Sequence, residues 1–155
     1  MTHSRALGCL TSLVALFGTS SVAEAQVSRA HPTINGHWRV EDGSATIAFE
    51  RCGTDLCGRI VQLRDTPNAP DENNRIRALR DRPVCGLVIL SRLQPSANGR
   101  WTGGRLYDPE SGHSLGDLSV ERRGETLRVA IGSGPFAGHE TWRPAAAPSK
   151  PCRGA

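Results

Sequence analysis

The residues with the clearest capacity for chemistry lie in one polar stretch and one aromatic one. Asp71, Asn73 and Asn74 place three oxygen-bearing side chains within four positions, directly after the prolines of Asp65-Thr-Pro-Asn-Ala-Pro70. Hard oxygen ligands of this kind suit calcium, but the fuller acidic set of a calcium loop is missing, and Asp and Asn in loops commonly bond the local backbone. Loop capping is therefore expected, and no metal site. Arg75, Arg77, Arg80 and Arg82 follow, and their forks suit an anionic headgroup or a carboxylate. Asp65, Asp71, Glu72 and Asp81 are interspersed among them, so a solvated loop is the competing explanation. Trp101, Tyr107 and Asp108 form the second group, in which an aromatic faces either a cavity or the core while Asp108-Pro109 makes a turn. Asp71, Asn73, Arg77, Trp101, Tyr107 and Asp108 are accordingly the expected ligand-binding residues.

Catalytic chemistry finds little support. His31, His37, His113 and His139 are scattered, and no serine stands in Gly-x-Ser-x-Gly. Gly132-Ser-Gly-Pro-Phe-Ala-Gly138 lacks the glycine spacing and the strand–helix setting of a nucleotide loop. Triads assemble from distant positions, so an enzyme is unsupported rather than excluded, and neither a catalytic residue nor a cofactor is assigned.

These residues are held by short strands. Ala45, Ile47 and Phe49 alternate with Thr46, Ala48 and Glu50, the period of a half-buried strand, after the hairpin signal Asp42-Gly43. Further strands are read at 58–63, at 84–93 with its apolar run Leu87-Val-Ile-Leu90, and at 100–107, where Gly103-Gly104 suggests a bulge. Others follow at 115–120, at 126–131 and at 139–143, and the first lies at 37–40. About eight strands joined by hairpin turns, with no amphipathic helix of ordinary length, predict an all-β fold: a small antiparallel up-and-down barrel without exposed edges. The longest irregular segment, from Arg64 to Pro83, falls at its rim, and loops of that length are usually functional or mobile. Gly36-His-Trp38 on the first strand and Trp142-Arg143 on the last mark where the two ends of the barrel meet.

Residues 1–25 read as a secretory signal peptide, with His3 and Arg5 before an apolar run and Ala23-Glu-Ala25 as the cleavage site. The apolar run is shorter than a membrane span requires, and nothing later approaches that length. Residues 26–35 form a leader with little structure of its own, 36–144 the barrel domain, and 145–155 a flexible alanine- and proline-rich tail. Export to the periplasm or beyond makes Cys52, Cys57, Cys85 and Cys152 disulfide partners rather than zinc ligands, since no Cys-x-x-Cys pair is present. Cys52 and Cys57 flank a hairpin connection and are paired first. Cys57–Cys85 is disfavoured because the two lie at opposite rims, and Cys85–Cys152 requires the tail to run back along the barrel. The net charge of +4 rests almost wholly on arginine, Lys150 being the only lysine. That mild basicity is no nucleic-acid footprint.

Gly36-His-Trp38, Cys52 with Leu56-Cys57-Gly-Arg-Ile-Val61, Asp71 with Asn73 and Asn74, Cys85-Gly-Leu-Val-Ile-Leu90, Trp101-Thr-Gly-Gly-Arg-Leu-Tyr-Asp-Pro109 with Gly112, and Thr126-Leu127 through Glu140-Thr-Trp-Arg143 together resemble a bacterial family, domain of unknown function 2147. The resemblance spans nearly the whole chain after residue 35. It implies a lipocalin-like barrel in an exported protein, from a family without an established activity. It also implies that Trp38 plugs one end of the barrel under a last-strand arginine, for which Arg143 is the candidate. The chain departs from the family pattern after Gly112, where His113-Ser-Leu115 replaces an expected aromatic. The leading expectation is thus a binding protein for a small, partly apolar or anionic molecule in the barrel mouth. A filled barrel acting as an envelope structural or protein-interaction module is the alternative, and no protein partner is assigned.

Overall fold

Alternating apolar residues and closely spaced turn signals produce eight antiparallel strands in the computed structural model, which describes residues 33–152. The signal-peptide expectation at 1–25 and most of the leader lie outside the described residues. The strands are β1 (Gly36–Arg39), β2 (Ala45–Cys52), β3 (Asp55–Leu63), β4 (Val88–Pro95), β5 (Arg100–Asp108), β6 (His113–Arg123), β7 (Thr126–Ile131) and β8 (Gly138–Ala145). Each pairs with its neighbour in sequence, and β8 closes on β1 through His37↔Ala145, Trp38↔Pro144 and Arg39↔Arg143. The expected all-β, up-and-down barrel is therefore present and fully closed. Among the described residues no helix is long and apolar enough to cross a membrane.

Several strand boundaries differ from the sequence reading by a few residues, and two of the differences bear on the site. The β2–β3 hairpin is tighter, pairing Cys52 with Asp55 across Gly53-Thr54, because Gly53 adopts φ +66° and lets the chain reverse in two residues. Residues 84–87, read as strand, belong instead to the long loop, and β4 begins only at Val88.

Odd-numbered hairpins turn at one end of such a barrel and even-numbered ones at the other, so the two ends differ in content. The end holding the β2–β3, β4–β5 and β6–β7 turns is packed solid by Leu56, Leu93, Leu118, Val120, Leu127 and Trp101, all buried. Two glycines make room for this packing. A Cβ on Gly58 would stand 2.7 Å from Leu90, and one on Gly104 2.7 Å from Leu93. Gly104 also sits where the β5–β6 register shifts, the bulge expected from Gly103-Gly104.

The same end is plugged by Trp38, which is buried and donates its indole N–H to the Ile34 carbonyl at 2.9 Å. Ile34 is itself fully buried, so the last residues of the leader serve as part of the plug. The arginine over Trp38 is Arg122 on β6, 5.7 Å from the ring centroid, and not Arg143. Arg122 also donates to the Thr33 carbonyl at 3.0 Å, whereas Arg143 is exposed on β8 opposite Arg39. The closing chain segment is the one that reaches across from β6, because the β6–β7 turn shares this end with the N-terminus of β1.

Both disulfides cross expected distances. Cys52–Cys57 spans the β2–β3 hairpin with Cα atoms 5.9 Å apart. Cys85–Cys152 is also formed, with Cα atoms 5.3 Å apart, and it corrects the expectation of a flexible tail. After Ala145 the chain runs back along the barrel, and the buried Cys152 donates its backbone N–H to Val61 on β3 at 2.8 Å. That carbonyl is open to it because β4 pairs with β3 only as far as Arg59↔Val88 before the chain leaves for the loop. The tail supplies a partner where the wall would otherwise lack one.

Candidate functional site

The end holding the odd-numbered turns is open. Ile47, Ile60, Ile89, Leu106, Val129 and Trp142 wall a cavity of about 760 Å³, within the range of small-molecule sites. The barrel is thus half packed and half hollow, its floor being the layer of leucines above Trp38.

The long loop is built onto this mouth by a buried polar network. Its neck closes where Pro70 bridges Pro83, with Asp71 N–H donating to the Arg82 carbonyl and Val84 N–H to that of Ala69, each at 2.9 Å. Asp71 is fully buried. Its carboxylate accepts the Tyr107 hydroxyl at 2.5 Å, the Asn74 amide at 2.8 Å and the Arg82 guanidinium at 2.8 Å. Burial alone would push the Asp71 carboxyl up, but the bonds from Tyr107, Asn74 and Arg82 and the charge of Arg82 outweigh it and hold it below the usual carboxylate range. Burial and the neighbouring Asp71 raise the Tyr107 phenol. Tyr107 also accepts from Asn74 at 2.8 Å, so its hydroxyl is consumed by the loop while its ring lines the cavity.

The β5–β6 turn holds the other side of the loop. Asp108 caps it, accepting from the Glu110 N–H at 3.0 Å and the Ser111 hydroxyl at 2.5 Å, and Asn73 donates across to the Glu110 carbonyl at 2.9 Å. Gly112 has φ +70°, and a Cβ there would fall 1.8 Å from the Asn73 carbonyl oxygen. Only glycine lets loop and turn meet so closely.

Of the six expected ligand-binding residues, Asn73, Tyr107 and Asp108 line the cavity. Asp71 does not; its carboxylate is fully engaged beneath the rim, where it positions Tyr107. Trp101 lies in the packed half under Arg51, 5.8 Å from its ring centroid, because the start of β5 belongs to the closed end. Arg77 stands on the exposed outer face of the loop, away from the cavity. Trp142, assigned to closure, instead walls the cavity, 6.3 Å from Phe49 between ring centroids, and donates its indole N–H to Glu140 at 2.7 Å.

Sequence reasoning singled out Asp108 but missed the other carboxylates of the mouth. Asp42, Asp65, Glu72, Asp108, Glu110 and Glu140 all line it, with His139, and among the described residues neither an arginine nor a lysine does. Among the described residues Asp65 alone of these six is ion-paired, to Arg64 at 3.0 Å. Ser44 hydrogen bonds hold the Asp42 carboxyl below its ordinary range. A signal was available: in an up-and-down barrel the first, third and fifth turns share an end, and each carries acidic residues.

No curated protein matches the chain. Protein HP1028 from Helicobacter pylori, described as belonging to the lipocalin family, is similar in structure, with a TM-score of 0.65 and 18% sequence identity over 74% of this chain and 84% of its own. At that identity the likeness bears on fold alone, and it agrees with the closed eight-stranded barrel. The family model described as "Uncharacterized protein conserved in bacteria (DUF2147)" matches residues 36–143, which run from the Gly36-His-Trp38 plug to the last strand. With that match covering all but the last two residues of the barrel, the chain belongs to the DUF2147 family, on a lipocalin-like frame.

Proposed function

We propose that this protein is an exported carrier whose barrel mouth takes one small, partly apolar molecule. The observation that carries the reading is the cavity of about 760 Å³, walled by branched aliphatic side chains and Trp142 and open at one end. Eight-stranded barrels hold either side chains or one small ligand, and here the two conditions divide the barrel between them. The filled-barrel alternative describes the closed half well and leaves the hollow half without a purpose. An anionic ligand loses its support, since the loop arginines lie outside the lining: Arg82 is spent on Asp71, and Arg80 donates to the Asn74 carbonyl. Two disulfides favour an oxidising compartment, in keeping with the signal peptide expected at 1–25.

The test is a fluorescence titration with the uncharged probe N-phenyl-1-naphthylamine. Saturable one-to-one binding is expected, and it should be lost in Leu106→Trp, which fills the cavity from its wall. Non-saturable binding, or binding indifferent to that substitution, would reject the carrier.

A further inference from the structure

The chain carries 19 lysines and arginines against 15 acidic residues, yet the lining of its cavity inverts that balance. Six acidic residues contributed by four separate segments line the mouth, and among the described residues the one basic residue of the lining is His139. They cannot be a random sample of a surface on which cations outnumber anions. Arg64, paired with Asp65 and donating to the Asp42 carbonyl at 3.1 Å, offsets charge at one edge of the mouth and leaves Glu72, Asp108, Glu110 and Glu140 without an ion pair among the described residues. An apolar cup with such an excess of one sign of charge concentrates ligands of the opposite sign.

The aromatic rings of the cavity point the same way independently. Tyr107 and Trp142 both line it, and in each case the polar handle is already bound to a carboxylate: the Tyr107 hydroxyl to Asp71 at 2.5 Å, the Trp142 indole N–H to Glu140 at 2.7 Å. Neither handle is left to hydrogen-bond a polar ligand, so the rings offer their π-systems. Tyr107 already attracts a guanidinium, Arg82 lying 5.5 Å from its centroid on the loop side. Aromatic rings beside carboxylates are the surroundings that favour an ammonium group carrying carbon.

We propose that the carried molecule is an organic cation, with an alkyl or aryl body in the aliphatic cup and an ammonium-type head among the carboxylates of the mouth. The inference rests on the carrier reading above and adds the charge of the ligand. Glu72 and Glu110 are the natural anchors, because both are exposed at the rim and no ion pair engages them among the described residues.

Three probes with one chain length separate the two claims: decyltrimethylammonium, decanol and decanoate, each used to displace N-phenyl-1-naphthylamine from the full protein at low salt. The cation should bind about tenfold tighter than decanol, with decanoate weakest, and the preference should shrink as salt shortens the reach of the carboxylates to a few ångströms. Glu72→Gln with Glu110→Gln should reduce the cation-to-decanol ratio about threefold or more. Glu121→Gln, at the closed end, should leave that ratio where it was. Equal binding of decanol and the cation, tighter binding of decanoate, or a ratio unmoved by the rim substitutions would overturn the charge assignment while leaving the carrier intact. No displacement by any of the three would remove both.

Discussion

Asp71→Asn is the substitution that most sharply examines how the mouth is assembled. The wild-type carboxylate, with no solvent exposure, collects donors from three residues, Tyr107, Asn74 and Arg82, at 2.5–2.9 Å. Asparagine keeps the volume but removes the charge and turns an NH₂ toward groups that are themselves donors. Breaking one side of a buried ion pair and stranding its partners costs about 3 kcal/mol, the low end being apt because the Arg82 side chain is 35% exposed. For a domain of this size that corresponds to a fall in Tm of roughly 12 °C by differential scanning calorimetry. Amide exchange at Asn74 and Val84, whose N–H groups bond Asp71 and Ala69 at the neck of the loop, should accelerate as well. Tyr107→Phe should cost about 1.5 kcal/mol, and the double variant less than the sum, since the two share a bond. The pH dependence has a definite sign. A carboxyl held below its unfolded value of 3.8 contributes stability above that value, which is lost as the pH falls through the folded pKa. The parent should therefore weaken more steeply than Asp71→Asn below about pH 4. A variant that melts within about 2 °C of the parent, with unchanged exchange in the loop, would refute the network as the element that holds the loop to the mouth.

Arg122→Ala should lower stability by about 1 kcal/mol, through the lost contact with Trp38 and the bond to Thr33, while Arg143→Ala should change it by less than about 0.5 kcal/mol; urea denaturation that ranks them the other way would restore Arg143 as the closing residue. Trp38→Ala should cost about 3–5 kcal/mol by the same measurement, and parity with the parent would dismiss the plug. The disulfides should differ by loop size. Replacing Cys85 and Cys152 by serine removes a link across 67 positions and should cost about 4 kcal/mol, whereas replacing Cys52 and Cys57, five positions apart, should cost about 2 kcal/mol, and equal losses would argue against the tail as a tether.

The barrel was legible in the sequence because its evidence is local: the alternation through Ala45, Ile47 and Phe49, the turn chemistry of Asp42-Gly43 and the bulge glycines at 103 and 104 each act within a few residues. Its closure was half legible. Trp38 could be assigned from the first strand, but whether Arg122 or Arg143 covers it depends on strand tilt and on which turn reaches the N-terminus, neither of which leaves a local trace. Trp101 and Tyr107 share a strand and fall in different halves of the barrel, six residues apart, a separation that only the position of the floor decides. Arg77 misled because a fork's chemistry is visible in sequence and its direction is not. The acidic mouth went unread for the opposite reason: Asp42, Glu72, Glu110 and Glu140 each look like ordinary turn or surface residues, and only the shared end of alternate turns collects them. The tail was unreadable as a wall element until the early departure of β4 from β3 was known.

A crystal structure of the protein grown with N-phenyl-1-naphthylamine tests the hollow half of the barrel most directly. The probe should lie between Ile47, Ile60, Ile89 and Leu106, with Trp142 beside it and the leucine floor beneath. An interior filled to the rim by the protein's own side chains, with the probe absent or confined to the outer surface, would contradict the carrier and return the chain to the reading of a filled barrel.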